Sequence, residues 1–111
     1  VVFWDDVAGP RSLPWPEDWQ ILMAVSPTTI STHEARKALP NNYSLSDAIF
    51  NLRKSAMFTY ALLQADANAF QASLDERIHQ PYRGKLIKDF TPLQKLVIAN
   101  GGFGGVISGS G

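Results

Sequence analysis

Two arginines, a threonine and a glycine-serine tail carry most of the chemistry open to this chain. Arg36 closes the stretch Ser31-Thr32-His33-Glu34-Ala35-Arg36, and Arg83 closes His79-Gln80-Pro81-Tyr82-Arg83. A guanidinium is a planar fork of donors that matches a carboxylate or a phosphate. Arg36 follows Thr32 by one helical turn, so the two can face the same way. Pro81 stiffens the second stretch and Tyr82 can anchor it. The third cluster is Asn100 to Gly111, NGGFGGVISGSG, which holds six of the chain's eight glycines. Its end, Ser108-Gly109-Ser110-Gly111, offers hydroxyls and freely oriented N–H groups, the raw material of an anion-binding nest. Each cluster also has a plainer reading. Arg36 suits the C-terminus of a helix as a surface cation, Ser31 and Thr32 suit caps, Arg83 suits a solvated loop, and the glycines suit a tight helix-to-strand turn with a tail.

Several chemistries are excluded. A dinucleotide fingerprint starting at Gly102 would need glycine where Ile107 stands, and it should follow a strand and open a helix. The glycine loop has no lysine, so it is not a Walker A motif. There are no cysteines, and His33 and His79 lie far apart, so no metal site is expected. His79 is a general base by type, but no nucleophile or orienting carboxylate is spaced to support it. Asp75 and Glu76 read as solvated residues at a helix end. No serine-histidine-aspartate order and no paired carboxylates stand out, so no residue is assigned as catalytic.

The elements that must position these clusters follow from pattern and punctuation. Val1 to Trp4 reads as a strand. Asp5 to Ser12, with Gly9-Pro10, reads as a turn, and Pro14 and Pro16 make Leu13 to Trp19 an edge or loop. Gln20 to Val25 is an apolar run suited to a strand buried on both faces. Ser31 to Leu39 is a short helix with capping-box spacing between Ser31 and Glu34. A long helix is expected from Ser46 to Ala65, capped by Ser44, burying Ile49, Leu52 and Leu62. A third starts at the cap Asp66 and turns Ala69, Phe70 and Leu74 inward. Arg77 to Asp89 is an irregular bridge. A last helix is expected to start at Thr91-Pro92, a cap followed by proline. It would run through Leu93, Leu96, Val97 and Ala99 and end at C-capping glycines. Phe103 to Ile107 would be a final strand. Strands, several helices and a strand make an α+β layer, with helices on one face of a small, mostly antiparallel sheet.

At 111 residues the chain is one domain, 45% hydrophobic and 18% charged, with ten basic and ten acidic side chains. The balance and the lack of a basic patch argue against nucleic acid and membrane surfaces as partners. With no membrane-length apolar stretch and no signal peptide, a cytoplasmic setting is expected. Both ends read as cut: Val1 lies inside a strand, and Gly111 inside the glycine motif.

Taken in order, the three clusters resemble the C-terminal part of the homoserine kinase family, within the GHMP small-molecule kinases. The matching residues are Ser31-Thr-x-x-Ala-Arg36 with Leu39-Pro40, His79-Gln-Pro-Tyr-Arg83 with Leu86-Ile87, and Gly101-x-x-Gly104 to Ser108-Gly109-Ser110-Gly111. The resemblance runs over nearly the whole chain from about Leu13. It implies that residues 1–111 are a C-terminal domain of ferredoxin-like α+β fold, without the N-terminal domain that cradles ATP. It implies a parent that transfers the γ-phosphate of ATP, with magnesium, to the hydroxyl of L-homoserine in threonine biosynthesis. It further implies that Arg36 and Arg83 bind the homoserine carboxylate and that Thr32 lies beside the site. Gly104, Ser108, Gly109 and Ser110 would form an active-site loop. A homodimeric parent is compatible with it, and the piece alone is expected to be inactive. Two other readings stay open: a stand-alone amino-acid-binding or regulatory module, and a GHMP kinase for another small alcohol. A P-x-x-x-G-L-G-S-S-type loop upstream would select the kinase.

Overall fold

The computed structural model of the chain describes residues 1–27 and 29–109. It opens with an antiparallel pair, β1 (Val2–Phe3) and β2 (Arg11–Ser12), with Val2 opposite Ser12 and Phe3 opposite Arg11. The Asp5 carboxylate shapes the turn between them by accepting from the N–H groups of Val7 and Ala8. Helices follow: α1 (Thr32–Lys37), α2 (Leu45–Gln64), α3 (Ala67–Ser73), α4 (Gln80–Arg83) with a 3-10 turn (Gly84–Leu86), and α5 (Phe90–Ala99). The class is α+β, with a two-stranded sheet and five α-helices among the described residues.

Local sequence explains most of the helix ends. Ser31 and Glu34 form the full capping box of α1, Ser44 caps α2, and Asp66 caps α3. Each side-chain oxygen takes an N–H that the first turn leaves unpaired. α5 ends in a paired motif: Gly101 N–H donates to the Ile98 carbonyl and Gly102 N–H to Val97. Gly101 sits at φ +83°, the left-handed conformation that this ending requires. α5 starts two residues earlier than expected, with Phe90 rather than Pro92 as its first helical residue, and Thr91 does not cap it. Pro92 is tolerated because the first turn has no use for its missing N–H.

The core lies between α2 and α3. Ala61, Leu62 and Phe70 are buried there, with Trp15, Trp19, Phe58, Leu74 and Phe103 packed around them. The Phe70 ring centroid lies 4.7 Å from Trp19, 5.4 Å from Phe58, 5.7 Å from Trp15 and 5.8 Å from Phe103. The proline-stiffened loop thus delivers its two tryptophans to the core, and the Trp15 indole N–H donates to the Trp19 carbonyl. Phe103 brings the glycine stretch onto the same cluster, 5.0 Å from Trp19.

Three expectations are corrected. Gln20–Val25 is not a strand; Ile21, Leu22, Met23 and Val25 are 67–91% exposed. An apolar run becomes an inner strand only where partners stand on both sides, and the one ladder among the described residues joins β1 to β2. Phe103–Ile107 is not a strand either. Side chains pair its backbone instead: Gln80 Oε1 accepts from Ile107 N–H, and Gln94 Nε2 donates to the Gly105 carbonyl. In α2, Leu62 is buried as expected, but Ile49 is 40% and Leu52 70% exposed. That helix is apolar on two sides, and only the side carrying Phe58, Ala61 and Leu62 meets the core. In α5, Val97 is half-buried, but Leu96 is 60% exposed and no residue is fully buried.

Candidate functional site

Arg83 draws the three sequence clusters together. Its Nε donates to the Ala35 carbonyl at 3.3 Å, and its Nη1 to the Gly109 carbonyl at 3.0 Å. Ala35 is completely buried in α1 and directly precedes Arg36. Gly109 lies in the glycine stretch at φ +66°. The last residue of α4 therefore ties the end of α1 to the serine-glycine tail. Arginine suits this junction because its fork reaches two carbonyls in different directions at once.

Thr32 is the first residue of α1 and Arg36 stands in its last turn; both are exposed. Ser108 is exposed in the glycine stretch, and Ser110 lies outside the described residues. Gly104 packs on α3: a methyl group there would come within 2.8 Å of the Leu74 side chain. Gly104 also borders a groove of about 600 Å³, between the start of α4 and α5, lined by Gln80, Lys85, Gln94 and Phe103 among others. Among the described residues no group of three His, Asp or Glu side chains is placed to hold a metal ion. Nor is any helix long and apolar enough to cross a membrane.

No protein-family model matches the chain. It is 41% identical over 97 residues to a homoserine kinase of Picosynechococcus, covering 87% of this chain and 32% of that protein. It is 35% identical over 101 residues to a homoserine kinase of Aquifex aeolicus, covering 91% and 34%. A crystal structure of homoserine kinase from Cytophaga hutchinsonii superimposes with a TM-score of 0.73 at 30% identity, over 77% of this chain and 27% of that one. The chain is a homologue of part of homoserine kinase. It spans about a third of the length of the curated relatives it matches.

In this homologue of homoserine kinase, Glu76 is a bonded hub rather than the solvated residue expected from its neighbours. Its carboxylate accepts from the N–H groups of Ile78 at 2.6 Å and His79 at 3.0 Å, and from that of Gln80. Asn51 Nδ2 of α2 lies at 3.4 Å and the His79 ring nitrogen Nδ1 at 3.1 Å. Asn51 in turn accepts from Arg77 N–H, and Arg77 pairs with Asp47 at 3.3 Å while its guanidinium covers the Phe50 ring. These bonds fasten the segment before α4 to the long helix. Tyr82 adds a further hold through an edge contact with Tyr43, 6.2 Å between centroids. The expected irregular bridge thus contains a short helix with an acidic anchor. The one available signal was a glutamate placed four residues before Gln80, ahead of a proline in the first turn.

The anchor gives a pH prediction. Burial pushes the Glu76 carboxyl up, but the N–H groups of His79, Gln80 and Ile78 outweigh it and hold it below its ordinary value of 4.5. Asp5, Glu34 and Asp47 are also lowered, by the N–H groups of Ala8 and Val7, by the Ser31 hydroxyl and by the Ser44 hydroxyl respectively. A carboxylate held low in the fold stabilises above its unfolded pKa and loses that contribution as pH falls through the folded one. Urea midpoints should therefore drop between about pH 5 and pH 2. In Glu76→Gln the protein should be weaker at neutral pH and the acid drop shallower. A drop of unchanged steepness would show that Glu76 is not a main contributor.

Proposed function

We propose that residues 1–111 are the C-terminal domain of a homoserine kinase of the GHMP type, with ATP bound mainly by an N-terminal domain. The parent transfers the γ-phosphate of ATP to the hydroxyl of L-homoserine, giving O-phospho-L-homoserine and ADP. The hydroxyl oxygen bonds to the γ-phosphorus, its proton is lost, and the bond to the bridging oxygen of ADP breaks. Arg36 and Arg83 bind the substrate carboxylate, Thr32 lines the site, and Gly104 with Ser108 to Ser110 braces it. The observation that carries this reading is the junction at Arg83, whose bonds to Ala35 and Gly109 bring the three motif clusters to one place.

Phosphoryl transfer depends on positioning and charge stabilisation, so residues that only bind and orient can govern the rate. Magnesium and the nucleotide phosphates need carboxylates and a phosphate loop from outside this chain. A ferredoxin-like layer in the parent is supported by the exposed run Ile21–Val25 and by the outward apolar stripe of α2, Leu45, Ile49, Leu52 and Leu63. Both would be covered once the sheet has its remaining strands. Setting and role together imply a protein of the cytoplasm.

The test is ADP release coupled to homoserine. The full-length polypeptide that carries this chain should turn over homoserine with MgATP, and the purified 111-residue chain should not. A full-length protein inert toward homoserine would end the proposal. Turnover by the purified shorter chain, free of contaminating enzyme, would show that the division of labour is wrong.

A further inference from the structure

We infer that Gln80 is a positioning residue for the substrate site, acting through Arg83 and the glycine stretch; the inference rests on the site proposed above.

α4 is a single turn of four residues, too short to persist by its own hydrogen bonds. Arg83, at its end, is placed only as well as its beginning is held. Gln80 is that beginning, and it is 9% exposed. Both ends of its amide are used. Nε2 donates to the Leu74 carbonyl at 3.3 Å, and Oε1 accepts from Ile107 N–H at 3.1 Å. Its own N–H rests on the Glu76 carboxylate.

Ile107 lies two residues before Gly109, the residue whose carbonyl Arg83 takes. Gln80 and Arg83, one turn apart on α4, therefore grip the same stretch at two points, an N–H and a C=O. A single hydrogen bond would let the glycine-rich chain pivot, because glycine resists few backbone rotations. Two such bonds set its register against α4. The same pair fixes the direction of the Arg83 fork, whose Nε is held by α1. The position asks for a donor and an acceptor on one uncharged planar group. Glutamate lacks the donor, leucine lacks both, and either leaves a half-buried backbone group unpaired.

The experiment is steady-state kinetics of the full-length kinase that carries this chain, with Gln80→Leu, Gln80→Glu, Arg83→Ala and the Gln80→Leu/Arg83→Ala double variant. Circular dichroism and thermal melts establish that each variant is folded at the assay temperature. Gln80→Leu should raise the homoserine KM by roughly tenfold and shift the ATP KM less than about twofold, because it disturbs binding of one substrate only. Gln80→Glu keeps the acceptor for Ile107 and should fall between wild type and Gln80→Leu. It decides the matter if the leucine variant does not fold. In the Arg83→Ala background, Gln80→Leu should add less than about twofold, because residues that act through one another are not additive.

A folded Gln80→Leu with unchanged homoserine KM would overturn the inference. So would an equal rise in both KM values, or full additivity with Arg83→Ala. If Arg83→Ala raises the homoserine KM while both Gln80 variants are silent, only the inference falls. If Arg83→Ala is itself silent, the proposed substrate site falls with it.

Discussion

On the function proposed above, Arg83→Ala should raise the homoserine KM of the full-length protein by roughly tenfold to a hundredfold, with little change in the ATP KM. A hydrogen bond to a charged group is worth about 1.5–3 kcal/mol, which is about that range in affinity. In this structure the substitution acts in two ways. The fork that would meet the carboxylate is gone, and the carbonyls of Ala35 and Gly109 are left without their donor. Ala35 is fully buried, so its carbonyl has poor access to water as a replacement partner. Arg83→Lys should rescue little. An ammonium can approach one carbonyl or the carboxylate, but it has no planar fork to serve them together. Arg36→Ala should cost a similar factor in homoserine affinity without loosening the junction, since Arg36 stands exposed in the last turn of α1. Kinetics in which either alanine variant leaves both KM and kcat/KM for homoserine unchanged would remove that arginine from the site.

Phe70→Ala should lower unfolding stability by about 3–5 kcal/mol, the usual cost of deleting a buried aromatic ring. Phe70 is 7% exposed and touches four aromatic rings contributed by three separate segments. An edge or tilted pair adds about 0.5–1.5 kcal/mol beyond area burial, so little of the loss can be recovered by relaxation. The effect should reach the site. Phe103 is fixed by Phe70 and Trp19, and it anchors the glycine stretch that Arg83 holds farther along at Gly109. A denaturation midpoint close to wild type would mean that the cluster reorganises around the gap. A large loss of stability with homoserine KM intact under native conditions would separate the core from the site.

Local rules were enough for the starts of α1, α2 and α3 and for the end of α5, but not for α4 or the start of α5. Ser31 with Glu34, Ser44 and Asp66 announce three helix starts, and Gly101-Gly102 announces the end of the last. Capping is decided within a few residues, so it can be read from a few residues. The order of the three motif clusters was likewise written in the chain, and with it the likeness to homoserine kinase. Of the strands, Val1–Trp4 was legible, since it holds β1, but β2 lies in the stretch that reads as a turn and the other two strand readings failed. Gln20–Val25 and Phe103–Ile107 have apolar strand patterns, yet a strand needs a partner, and the partner is a non-local fact. The second side of α2 misled for the same reason: an apolar stripe says that something should cover it, not what does. Glu76 looked solvated because the donors that hold it come from a turn whose shape sequence pattern does not show. Only the folded chain brings Asn51 to that turn, Gln80 to Ile107, and Arg83 to Ala35 and Gly109. Those bonds cross up to 48 positions of chain. Residue types determined that such groups would need partners, and tertiary packing alone decided which partners they found.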